Sequence, residues 1–192
     1  MGNEARPLDN RLLLRWAGAN TLGWLLGFVL VVVLAEAWEF IGGGAQFMVG
    51  VGMGAGVGVV QSRVIAPWVT SARQWLLAST IGMGTPFLLW DVGTALGMSW
   101  PLSLWACVLS GAVLVGVLQQ RLFRPSRPRV RWWVAACAVG WAVPEGLIVL
   151  DDLGLLPGGW QFLTIAGVVF GGVLLGAVTG AALPWMLPDP AV

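Results

Sequence analysis

The chain has 192 residues, of which 58% are hydrophobic and 10% charged, with a formal net charge of +1 and neither His nor Tyr. Soluble domains carry about a quarter charged residues, so a water-soluble globule is excluded, because that much apolar surface has nowhere to hide. Enzymatic chemistry is not expected either: there is no His for base work or haem ligation, no Gly-x-Ser-x-Gly elbow, no phosphate-cradling loop and no clustered Cys.

Residues 1–14 form a polar segment expected in the cytoplasm, with Arg6 and Arg11 ahead of Arg15. The apolar run that follows lacks a small-residue cleavage site, which marks a retained span rather than a signal peptide. A span needs about 20 mostly apolar residues. Six stretches qualify, at 15–36, 46–66, 74–96, 102–123, 132–150 and 161–187, and 188–192 is left as a cytoplasmic tail. The outer connections carry turn chemistry in Gly42-Gly43-Gly44, Ser99-Trp100-Pro101 and Pro157-Gly158-Gly159. Cys107 and Cys137 fall inside apolar stretches and imply no disulfide.

Cytoplasmic loops are enriched in Arg and Lys. Arg6, Arg11, Arg15, Arg63, Arg73, Arg121, Arg124, Arg127, Arg129 and Arg131 make up all ten cations, and the six-span reading places every one on the same side. Glu36, Glu39, Asp91, Asp151 and Asp152 mark the other side, with Glu145 deeper. The expectation is an all-α, multi-pass protein of the bacterial inner membrane with both termini inside.

Internal repetition refines this. Trp16-Asn20-Gly23, Trp75-Ser79-Gly82 and Trp133-Cys137-Gly140 recur at offsets of 59 and then 58 residues. Gly58-Gln61-Arg63-Pro67 and Gly116-Gln119-Arg121-Pro125 stand 58 apart, with a degenerate third copy at Gly176, Thr179 and Ala181. Three tandem hairpins, approximately 15–70, 71–128 and 129–187, are therefore expected about a pseudo-threefold axis along the membrane normal.

Residues at i, i+4 and i+7 share a helical face, and small residues four apart let membrane helices approach closely while polar groups bond across the seam. Asn20, Gly23, Gly54, Gly58, Gln61, Ser79, Gly82, Gly116, Gln119, Gly140, Gly172 and Gly176 are the expected seam residues, with Asn20 or Ser79 pairing with Gln61 or Gln119. Glycine on two opposed faces of span two, at Gly50, Gly54 and Gly58 and at Gly52 and Gly56, points to a helix sandwiched between neighbours. A groove for a lipid or isoprenoid tail is the other use of such faces.

Acids within spans are costly and are functional candidates. Glu145 follows Pro144, and Asp91 lies five residues after Pro86, where prolines 58 apart should kink both helices. With Trp38, Trp90, Trp100 and Trp160, these two acids form a candidate outward-facing pocket for a cationic ligand. The blander reading is an aromatic belt with acids at the headgroup layer. Arg121, Arg124, Arg127, Arg129 and Arg131 are candidates for contact with anionic lipid, and nucleic acid is not an expected partner. No cofactor or metal is called for.

The tandem hairpins, with a small-xxx-small-x-x-Gln even helix and a Trp-rich odd helix over roughly 15–187, resemble a broad group of bacterial multi-pass membrane proteins to which no activity is assigned. In size, six spans and inside termini the chain is also similar to the substrate-binding subunits of energy-coupling-factor vitamin transporters. Those dock through small residues of the first helix, a part that Ala17, Gly18 and Thr21 would play here, although the threefold repeat departs from that family. Two functions are thus expected in turn: an accessory or scaffold subunit of a membrane complex, or a lipid-binding membrane protein; and, as the alternative, a small-solute binding or transport component.

Overall fold

Long apolar stretches with their few charges at the ends have one economical conformation in lipid, the α-helix, which satisfies every backbone group internally. The computed structural model describes residues 10–41, 46–98, 104–124, 128–155, 157 and 162–187. Six α-helices carry them: α1 (Asn10–Ile41), α2 (Phe47–Ile65), α3 (Ala72–Ala95), α4 (Leu104–Gln120), α5 (Trp132–Asp152) and α6 (Phe162–Met186). Trp100, Trp160 and Arg127, like the Gly42–Gly44 turn, lie outside the described residues.

The helix ends follow local chemistry. Ser71 caps α3 by accepting the Gln74 N–H at 3.2 Å. At the other end Gly97, with φ of 73°, turns the chain so that the Met98 N–H reaches the Gly93 carbonyl at 2.9 Å. Gly154, with φ of 65°, ends α5 in the same way. Helix α1 begins five residues before the expected span, because Asn10 to Leu14 contain no breaker and a helix does not stop where its apolar stretch does. Helix α4 stops at Gln120, three residues short of the span, because Phe123 turns to pair with Val69. In that pairing the Thr70 N–H meets the Leu122 carbonyl at 2.8 Å, and the Arg124 N–H meets that of Trp68 at 2.9 Å. Pro86, Pro144 and Pro184 sit within α3, α5 and α6.

Each helix packs on its neighbours in the chain, and α6 packs back on α1, closing a six-membered ring. Neighbours run antiparallel: Gly27 lies against Met53 and Gly23 against Val57, while Gly54 and Gly58 lie against Ser79. Every described arginine therefore falls at one end of the ring, and Glu36, Glu39, Asp91, Asp151 and Asp152 fall at the other.

The ring is apolar outside and partly polar inside. Leu25, Val29, Ile81, Val113, Val139 and Phe170 are exposed, whereas Asn20, Gln61, Ser79, Gln119 and Thr179 are buried. Such an arrangement has an apolar solvent. Among the described residues, three helical stretches are long and apolar enough to cross a membrane by length and composition: Asn10–Glu39, Phe47–Trp68 and Val169–Met186.

Candidate functional site

The Arg-bearing half of the ring is filled by tryptophan. Trp16, Trp75 and Trp133, each with no exposed surface, meet at the centre with ring centroids 6.5, 6.0 and 5.7 Å apart. Phe123 closes the cluster edge-on to Trp75 and Trp133, both at 5.5 Å, beside Ile65 and Leu183.

A buried indole N–H needs an acceptor, and each of the three finds one on an even-numbered helix. Trp75 Nε1 donates to Gln61 Oε1 at 3.1 Å, Trp133 Nε1 to Gln119 Oε1 at 2.9 Å, and Trp16 Nε1 to Thr179 Oγ1 at 2.9 Å. Gln61 Nε2 then donates back to Asn20 Oδ1 at 2.8 Å, and Gln119 Nε2 to Ser79 Oγ at 2.9 Å. Each glutamine thereby ties together the two odd-numbered helices on either side of its own, Gln61 joining α1 to α3 and Gln119 joining α3 to α5. Thr179 is too short to span both and donates instead to the carbonyl of Leu175 on its own helix. The belt leaves a void of about 10 Å³ between Gln61, Ser79, Gln119 and Thr179, at the lower limit for a single water.

Glycines set the helix separations that these bonds require. A Cβ on Gly23 would lie 2.8 Å from the Cα of Val57, one on Gly82 2.8 Å from that of Val115, and one on Gly140 2.9 Å from Leu175 Cδ1. On the even helices, Gly58 lies against Ser79, Gly116 against Val134, and Gly172 and Gly176 against Thr21 and Ala17. Helix α2 uses both faces, since Gly52 and Gly56 meet Val31 and Gly27 of α1 while Gly50 and Gly54 meet Met83 and Ser79 of α3. Of the three small residues at the start of α1, Ala17 and Thr21 are thus taken up by the seam with α6. Gly18 points outward with nothing within 4 Å.

The acids part company. Asp91 is held at a helix end: its Oδ1 accepts the Gln46 N–H at 3.0 Å and its Oδ2 the Phe47 N–H at 2.8 Å, so it caps α2 from the end of α3. Trp38 stands edge-on to Phe47 at 5.5 Å beside that cap, and Trp90 is half-buried against the outer core. Exposed Trp38 and Trp105 mark one end of the ring and Trp132 and Trp185 the other, as bilayer interfaces favour. Arg131 lies 5.9 Å from the ring of Trp132, and Arg121, Arg124 and Arg129 share its end of the molecule.

Glu145 lies inside the ring. It borders a cavity of about 150 Å³ walled by Trp24 and Phe28 of α1, Gly50 and Met53 of α2, Met83 and Phe87 of α3, Leu104 and Val108 of α4, and Trp141 and Pro144 of α5. Five of the six helices contribute, which places the cavity on the inside of the ring. The Oε2 of Glu145 is buried and has no hydrogen-bond partner among the described residues. The repeat offsets of 59 and 58 explain this layer: Trp24, Met83 and Trp141 form one rung, and Phe28, Phe87 and Glu145 the next. At these offsets Glu145 stands where the two earlier positions carry phenylalanine. Trp24, Phe28, Phe87 and Trp141 are site residues that motif reading overlooks. The signal for them lay eight and twelve residues after the repeated tryptophans.

Among the described residues no group of three His, Cys, Asp or Glu could hold a metal ion. No family model, curated protein or solved structure matches the chain.

Proposed function

We propose that the chain is a non-catalytic integral membrane protein of six spans, built as three tandem hairpins about a pseudo-threefold axis, with its arginine end in the bacterial cytoplasm. Its role is that of an accessory or scaffold subunit of a membrane complex, or of a lipid-binding protein. One observation carries this reading: the hydrogen-bonding side chains of the belt are consumed within the ring, while apolar side chains cover its outside. Such a body offers its surroundings grease and tryptophan, which suit lipid chains and the apolar helices of other subunits. The outward-facing Gly18, flanked by exposed Leu14 and Leu22, gives a close-approach point for a partner helix. Arg121, Arg124, Arg127, Arg129 and Arg131 would meet anionic headgroups there.

Purification from the native membrane in mild detergent, followed by mass spectrometry of what co-migrates, tests the role. Stoichiometric membrane subunits or lipid are expected. A protein that emerges with neither contradicts it.

A second reading, small-solute binding or transport, is favoured by the cavity beside Glu145, although Asp91 takes no part in it.

A further inference from the structure

We infer that the cavity bordered by Glu145 binds a small alkylated ammonium ion, held by the carboxylate and by the aromatic side chains of Trp24, Phe28, Phe87 and Trp141 that line it. The inference rests on the solute-binding reading and gives it a ligand class.

Size comes first. A cavity of about 150 Å³ is large enough for a molecule of benzene's bulk. That admits a head of the size of trimethylammonium.

Composition comes next. Four aromatic side chains from three helices line the space, and an aromatic cage is the recurrent solution for binding quaternary ammonium, whose charge is spread over methyl groups that bring no hydrogen bonds. A hydrated metal cation or a primary amine would need several acceptors, and Glu145 is the one charged side chain in the wall.

Charge decides the sign. A carboxylate inside a membrane-embedded ring is expensive unless paired, and Oε2 of Glu145 has no partner among the described residues. An ammonium seated against it supplies the missing charge.

The broken repeat points the same way. The polar belt varies among small or uncharged polar residues, Asn20, Ser79 and Cys137 on the odd helices and Gln61, Gln119 and Thr179 on the even ones, whereas the cavity rung replaces phenylalanine by an ionisable glutamate in a single copy. Packing alone gives no reason for that change. A third phenylalanine would fill the space, and the acid both opens it and charges it.

Equilibrium dialysis of the full chain in detergent micelles tests the inference, with empty micelles as the control. The probes are choline and its neutral carbon isostere, 3,3-dimethylbutan-1-ol. Choline is expected to bind with 1:1 stoichiometry and about tenfold or more tighter than the alcohol. Glu145→Gln should remove that preference. Glu145→Phe, which restores the residue of the other two repeats, should abolish binding of both probes while leaving the thermal midpoint unchanged or raised. Equal binding of choline and the alcohol would overturn the ammonium assignment while leaving a solute cavity in place. Binding of neither overturns the assignment and the solute reading together. Choline binding that survives in Glu145→Phe puts the site elsewhere and overturns the assignment.

Discussion

Trp133 donates its indole N–H to Gln119 at 2.9 Å, and the same two types of side chain meet one hairpin earlier as Trp75 and Gln61 at 3.1 Å. Each bond links an even-numbered helix to the odd-numbered helix that follows it, α2 to α3 and α4 to α5. The third link, Trp16 to Thr179, closes the ring between the first and last helices.

Gln119→Leu removes the acceptor of Trp133 and the donor to Ser79 at once. A loss of about 1–2 kcal/mol is expected in unfolding from mixed micelles, near the upper range for interhelical hydrogen bonds in membranes. Thr179→Val, which frees a single indole N–H, should lose less. Equal and negligible losses would show that the belt does not hold the ring closed.

Two glycines on the same kind of helix should behave oppositely. Gly82→Ala drives a methyl group to 2.8 Å from the Val115 backbone and is expected to destabilise by about 1–3 kcal/mol. Gly18→Ala meets nothing within 4 Å and should be neutral or stabilising by up to about 1 kcal/mol, as a helix gains from Ala over Gly. Thermal melts of the two variants in one detergent make the comparison.

Asp91→Ala deprives the first turn of α2 of its acceptor, and a loss of about 1 kcal/mol is expected, as for other helix caps. Choline binding at the Glu145 cavity should be unchanged in this variant, since Asp91 is no part of its wall. A loss of binding without a loss of stability would return Asp91 to the pocket.

The polar seam is readable in the chain because its residues recur in kind: Trp, Gln and Gly return at 58 to 60 residues, and identity at a fixed offset survives any uncertainty about packing. The cavity rung is hidden for the opposite reason. Phe28, Phe87 and Glu145 share an offset but not a chemistry, and only the structure brings them to one layer. Asp91 is legible as an acid at the outer end of α3, but not as a cap, because the amides it serves lie 45 and 44 residues away on a different helix. Ala17 and Thr21 illustrate the same limit. Small residues on a first helix suit docking to a partner and packing within the chain equally well, and neighbours decide which.

The account depends on the helices crossing the bilayer with the arginine end inside, and cysteine accessibility tests this most directly. With Cys107 and Cys137 replaced by Ala, single cysteines are introduced at Ser71, Arg124, Met98 and Leu153, and intact cells are treated with a membrane-impermeant maleimide. Positions 98 and 153 are predicted to label from outside, and 71 and 124 only after the membrane is opened. Labelling of position 124 in intact cells, or of 98 and 153 on opposite sides, would contradict it.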